Sequence, residues 1–198
     1  AMREGNKYNI SVKGGRFLEA VAKADTVVFD KTGTLTYAKP TVAQIVTFAD
    51  KEENEMLRLA ACLEEHYPHS LANAVVDEAK NRGLNHEEYH SKVEYVVAHG
   101  ISSTVEGKKV VIGSYHFVFE DEGCPVPDGE AEKFSSISDE YSHLYLAVSG
   151  VLCAVICVFD PLRAEAKDAI DALHALGIKK VVMMTGDNHK TAAAIAKT

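Results

Sequence analysis

The sequence predicts an α/β layer interrupted by an inserted α+β block built on an antiparallel sheet. Three observations predict it. Two short apolar runs, Thr26-Val27-Val28-Phe29 and Lys180-Val181-Val182-Met183-Met184, read as buried strands of a parallel sheet. Each run closes on a polar loop that contains a glycine. Between them lies a block whose rhythm is that of hairpins, so the two ends resemble each other and the middle differs.

The elements follow in order. Residues 14–24 read as a short helix with Phe17, Leu18 and Val21 on one side. The first apolar strand ends at Asp30 and passes into a loop holding Gly33. Residues 42–48 alternate apolar and polar, as a half-buried strand does. Helices follow at about 53–65 and 69–82. Leu71, Ala74, Val75 and Ala79 give the second its apolar face, and Gly83 stops it. Strands are expected at 93–98, 101–105 and 108–112, with Glu106-Gly107 as a hairpin turn. A short helix at 114–120, a Pro- and Gly-containing loop at 123–129 and a helical stretch near 129–138 lead to a second hairpin. Its strands are 144–148 and 152–159, around Ser149-Gly150. After Asp160-Pro161 come an amphipathic helix over 163–176 ended by Gly177, the second apolar strand, and a helix from near Asn188. The expected domains are therefore 1–38 with 159–198, discontinuous and C-terminally incomplete, and an inserted 39–158.

Composition narrows the function classes. The 198 residues are 46% hydrophobic and 25% charged, an ordinary globular balance. The net charge of −8 and the absence of any basic run argue against nucleic acid as a partner, because phosphate backbones require clustered Lys and Arg. No apolar stretch reaches the roughly 18 residues of a membrane helix. Ala1 before Met2 reads as a cloning remnant, and Thr198 falls inside an alanine-rich helix, so a piece of a longer chain is expected. Cys62, Cys124, Cys153 and Cys157 form no Cys-x-x-Cys pair. Cys153 and Cys157 are expected on one face of a strand, as small buried hydrophobes, with a metal site as the alternative. His86 and His90 are spaced as a helical metal pair could be, but their polar, aperiodic surroundings read as a solvated loop.

The chemistry concentrates at the strand ends. Ligands of open α/β sheets bind beyond the carboxyl ends of the strands. Asp30-Lys31-Thr32-Gly33-Thr34 sits at one such end and Thr185-Gly186-Asp187-Asn188 at another. If the two strands are neighbours, one crevice holds a carboxylate, a lysine, hydroxyls and backbone N–H groups. That is a phosphate site containing a nucleophile. A carboxylate that attacks phosphorus forms an acyl phosphate. An acid two residues after the nucleophile would protonate the leaving group and then activate water. Thr32 cannot, so the sequence favours a phosphoenzyme that persists.

Asp30-Lys31-Thr32-Gly33-Thr34-Leu35-Thr36 matches, letter for letter, the phosphorylation motif of P-type ATPases, and the chain resembles that family over nearly its whole length. The resemblance implies a haloacid dehalogenase-like Rossmann phosphorylation domain, truncated, with the insert as nucleotide-binding domain. It implies catalytic roles for Asp30, Lys31, Thr32, Thr185, Gly186 and Asp187, with ATP as phosphoryl donor and Mg2+ held by Asp30 and Thr32. Asp160-Pro161-Leu162-Arg163 resembles the family's hinge motif, with Arg163 directed to the nucleotide phosphates. The short insert resembles that of the heavy-metal-transporting branch. Pro68-His69-Ser70-Leu71-Ala72 is similar to that branch's Ser-Glu-His-Pro-Leu signature, with Ser70 where the family has proline. His69 and Glu64 are thereby implied at adenine. Ala98-His99-Gly100-Ile101 and Gly113-Ser114 resemble the branch's Gly-x-Gly and Gly-Asn loops, with Ala98 and Ser114 as departures, which leaves Gly100, Ile101 and Gly113 as nucleotide contacts.

The implied partners are ATP, a transported heavy-metal cation carried through membrane helices, and an actuator domain of the same parent chain. The implied location is the cytoplasmic side of an integral membrane protein. The family's later lysine and its Gly-Asp-Gly-x-Asn-Asp motif would follow Thr198, so this stretch is expected to bind nucleotide without efficient turnover. A haloacid dehalogenase-class phosphohydrolase and a non-catalytic nucleotide sensor are the alternative readings. The transported ion and the direction of transport are not written in these residues.

Overall fold

The two apolar runs lie side by side. A computed structural model describes residue 5, residues 7–84, 90–96, 100–185 and 189–197, with backbone alone for 90–96 and 189–191. In chain order the elements are α1 (Gly15–Ala22), β1 (Thr26–Asp30), β2 (Thr41–Thr47), α2 (Glu53–Glu64), α3 (Ser70–Asn81), β3 (His90–Val96), β4 (Gly100–Val105), β5 (Lys108–Gly113), α4 (Ala131–Ser135), β6 (Ser142–Val148), β7 (Val151–Phe159), α5 (Ala166–Ala175), β8 (Lys180–Met184) and α6 (His189–Ile195). Strands β1 and β8 pair in parallel, in register from Thr26 with Lys180 to Asp30 with Met184. This is the neighbour relation that the loop chemistry requires.

The other six strands form one antiparallel sheet in the order β2-β7-β6-β5-β4-β3. Both of its faces are covered. On one face α2 and α3 bring Leu57, Ala60, Leu63 and Val75 against Ile101, Ile112, Leu146 and Ile156. On the other, Phe48, Phe117 and Val118 pack with Val111, Tyr145, Leu152 and Val155. A strand buried on both faces has no reason to alternate. That accounts for β7, whose Val151-to-Phe159 run is apolar almost throughout. Helix α2 is opened by Glu52, whose carboxylate accepts from the backbone N–H groups of Asn54 and Glu55 at 3.0 and 3.2 Å. Arg82 then ties α3 to α2 through Glu78 and Glu53, at 2.7 and 2.6 Å.

Three expectations are corrected. The apolar runs β1 and β8 are not buried: their residues are half-buried or exposed, and Val28 and Met184 stand 57% and 62% open. An apolar run is buried only when elements cover both faces, and α5 and α6 face β8 across an open groove. Cys153 and Cys157 do not share a face. Register shifts between Leu146 and Ala147 where β6 meets β7, opposite Leu152 and Ala154. The extra residue at this bulge puts Cys153 with the helix-side core and Cys157 with the opposite one. Burial raises the thiols of Cys124, Cys153 and Cys157, the last to about 11, so they stay protonated. Finally, the helix expected from 163 begins at Ala166, and Arg163 is released for other contacts. The histidine pair at 86 and 90 lies outside the described residues or their described side chains.

Candidate phosphoryl-transfer site

Asp30 is the last residue of β1, and its carboxylate is exposed where the chain leaves the sheet. The loop after it bends sharply. Thr32 has φ −74° and ψ 120°, and Gly33 has φ 79° and ψ −5°. These are the central angles of a type II turn, whose third residue must be left-handed, a conformation glycine adopts without strain. The turn is closed from within. The Thr36 N–H donates to the Lys31 carbonyl at 3.1 Å, and the Gly33 N–H donates to the Thr36 hydroxyl at 3.2 Å. Those two N–H groups are thus engaged inside the loop, while Thr32 and Thr34 present their side chains outward.

Lys31 is buried, 5% exposed. With Thr32, Asp160 and Thr185 it lines a cavity of about 220 Å³ whose far wall is Ser70 and Leu71, at the start of α3. The structure therefore gathers three of the expected catalytic residues, Lys31, Thr32 and Thr185, around one space beside Asp30. Gly186 and Asp187 lie outside the described residues. Pro40, Ser142 and Asp160 also face this cavity and were not singled out from sequence as site residues.

Arg163 sits against the loop. Its Nε donates to the Thr36 carbonyl at 3.1 Å, and a terminal nitrogen lies 3.5 Å from the Gly33 carbonyl. Its guanidinium also stands 5.2 Å from the Tyr37 ring centre and 3.7 Å from Glu165.

Glu64 closes α2 and is 2% exposed. His69 caps α3: its Nδ1 accepts from the Ala72 N–H at 3.2 Å, which leaves the ring proton on Nε2. That Nε2 stands 3.3 Å from Glu64 Oε2. The contact is near enough for electrostatic attraction but not aligned as a hydrogen bond, and Oε2 is a buried acceptor without one. Gly100 and Gly113 are direct cross-strand partners. A methyl on Gly100 would lie 2.3 Å from Phe117 Cδ1 and 2.5 Å from the Ile112 carbonyl oxygen, so packing alone demands glycine there. The Ile101 side chain is in the helix-side core, which leaves its backbone for any ligand.

Comparison with known proteins shows what the chain as a whole is similar to. The model of the haloacid dehalogenase-like hydrolases matches residues 24–198. The chain is 37% identical over 196 residues to a probable copper-exporting P-type ATPase V of Mycobacterium tuberculosis, covering 98% of this chain and 25% of that protein. It is 33% identical over 199 residues to a zinc-exporting P-type ATPase of Mycobacterium marinum, covering 100% of this chain and 27% of that one. Among solved structures, a zinc-transporting PIB-type ATPase in an E2.Pi state superposes with a TM-score of 0.62 at 36% identity, over 94% of this chain and 30% of the other. The chain thus spans about a quarter of the length of the curated relatives it matches.

Proposed function

The chain belongs to the haloacid dehalogenase-like hydrolases, and from that premise we propose that it is the ATP-binding and phosphorylation region of a heavy-metal-transporting P-type ATPase, with Asp30 as phosphoryl acceptor. The observation that carries the reading is the register of β1 with β8. It sets Asp30 beside Met184, so that the seven-residue loop and Thr185 share one strand-end crevice. In this reading residues 1–38 and 159–198 are the phosphorylation domain on the cytoplasmic side of the membrane, and 39–158 the nucleotide-binding domain.

The chemistry follows from the residues. Asp30 attacks the γ-phosphorus in line, the β–γ bridging bond breaks, and an aspartyl phosphate and ADP result. Lys31 offsets negative charge at the cavity, and the hydroxyls of Thr32 and Thr185 donate to phosphate oxygens. The Thr32 hydroxyl can hydrogen-bond but cannot act as a general acid or take a proton from water at neutral pH, so it does not activate water and the acyl phosphate survives until another part of the protein clears it. A Mg2+ ion suits this site as one delivered with nucleotide. Two oxygen-bearing residues, Asp30 and Thr32, fit an ion that keeps several waters and phosphate oxygens, and among the described residues no larger ligand cluster exists. When bound, it neutralises charge on the transferring group. Glu64 Oε2, buried without a hydrogen bond, is matched to a donor such as the exocyclic amine of adenine, with the His69 ring beside it.

The test is phosphoenzyme formation from γ-labelled ATP and Mg2+ in the complete ATPase that carries this chain. Label that is acid-stable, released by hydroxylamine and abolished by Asp30→Asn is expected. Label that persists in Asp30→Asn would sink the assignment, and rapid release of phosphate from small esters by the unmodified chain would favour a phosphohydrolase.

A further inference from the structure

We propose that Thr36, Asp160 and Arg163 form a clamp that positions the Asp30 loop, and that Arg163 serves this clamp instead of contacting nucleotide. The inference rests on the reading of Asp30 as the phosphoryl acceptor.

Thr36 is fully buried, 0% exposed, a rare place for a hydroxyl unless it is fully used. It is fully used. Its proton goes to Asp160 Oδ2 at 2.6 Å, across 124 residues of sequence, and its lone pair receives the Gly33 N–H at 3.2 Å. A 2.6 Å hydroxyl-to-carboxylate contact is a charge-assisted bond, roughly twice as strong as a neutral one. The other oxygen of Asp160 accepts from the Lys39 N–H at 3.3 Å. One carboxylate therefore joins the chain segment leaving the loop to the segment that returns after β7. Both of its oxygens thus take part in the connection, and the same carboxylate lines the cavity that holds Lys31.

The backbone makes the same connection. Thr36 and Leu162 form an antiparallel bridge, the Arg163 N–H donates to the Leu35 carbonyl at 2.8 Å, and the Tyr37 N–H donates to the Pro161 carbonyl at 3.1 Å. Arg163 adds its guanidinium to the Thr36 and Gly33 carbonyls, on opposite sides of the turn. Its planar donors are directed at loop carbonyls, its face at Tyr37 and its remaining charge at Glu165. Gly33 is held from both ends: its N–H by Thr36 and its C=O by Arg163. The left-handed glycine that sets the turn is thus the point on which the clamp closes. A carboxylate nucleophile displaced by about 1 Å loses on the order of a hundredfold in rate, so such a clamp acts on transfer and not on ATP affinity.

The experiment compares Thr36→Val, which keeps shape and loses the hydroxyl bonds, with Thr36→Ser, which keeps them. In the 198-residue chain without nucleotide, amide exchange at Gly33 should accelerate at least tenfold in Thr36→Val and stay within twofold in Thr36→Ser. In the complete ATPase, the phosphorylation rate at saturating ATP should fall at least tenfold in Thr36→Val with the half-saturating ATP concentration unchanged, and Thr36→Ser should restore it. Arg163→Lys, which retains the charge without the fork, should slow phosphorylation at unchanged ATP affinity and supplies the same comparison should Thr36→Val fail to fold. Unchanged Gly33 exchange in Thr36→Val, or a loss in Arg163→Lys confined to ATP affinity, overturns the clamp. If the unmodified ATPase forms no phosphoenzyme, the Asp30 reading falls, while the exchange data still decide whether the clamp holds the loop.

Discussion

At the scale of single residues, His69 shows two functions in one ring, and they can be separated. Nδ1 caps α3, and Nε2 faces the buried carboxylate of Glu64. Removal of the ring to alanine deletes both, at a cost of about 1 kcal/mol from the lost cap alone, so a weakened variant would say nothing about adenine. Asparagine is among the best N-caps. His69→Asn should therefore keep the thermal midpoint within a degree or two while ATP affinity, measured by calorimetry, falls about tenfold, equivalent to about 1.4 kcal/mol. Glu64→Gln should weaken ATP by a similar factor. Undiminished affinity in both variants would place the adenine elsewhere. The two residues were legible in sequence only through resemblance. Neither periodicity nor composition reports that a carboxylate at the end of one helix meets the cap of the next. The clamp around Thr36 was legible only as a hinge motif, because a hydrogen bond between residues 124 apart leaves no local signal.

At the scale of elements, the helices and hairpins between β1 and β8 could be read because their apolar positions repeat with the periods of the elements themselves. Burial of β1 and β8 could not, since it depends on neighbours that a local pattern does not contain. The bulge in β7 was equally hidden, and it alone parts Cys153 from Cys157. Gly100 is the instructive case. Its resemblance to a nucleotide loop suggests that glycine admits a ligand, yet the Phe117 ring already occupies the space a methyl would need. The ring is 2% exposed and anchored in the core, and the Ile112 oxygen is backbone, so neither moves cheaply. Gly100→Ala should then destabilise the protein by about 1–3 kcal/mol, the range for overpacking a filled core, read as a lowered urea midpoint without nucleotide. An alanine variant with the parent midpoint and weaker ATP binding would return Gly100 to a purely ligand-facing role.

At the scale of the whole molecule, the order of elements suggests an insertion, and the strands fall into two separate sheets, β1-β8 and the six strands that lie between them in sequence. Where the stability resides was not legible. Both buried clusters belong to the six-stranded sheet and the segments packed on it, whereas β1, β8 and α5 contain no buried residue. Apolar area removed from water is the main source of stability. The sheet bearing Asp30 is therefore the less stable of the two, and the Thr36–Asp160 clamp ties its loop to the end of β7, an interior strand of the more stable one, between β2 and β6. Native-state hydrogen exchange should show this as two classes of amide. Those of β6 and β7 should exchange through the largest openings, and those shared by β1 and β8 at least about tenfold faster, through a local opening that leaves the six-stranded sheet intact. ATP held at Glu64 and His69 would protect the slow class directly. Protection of the β1–β8 amides by ATP should appear only if the nucleotide also engages the Asp30 crevice, and should shrink in Thr36→Val. Uniform exchange across both sheets would mean that the molecule opens as one unit, and the difference in burial would then carry no mechanical consequence.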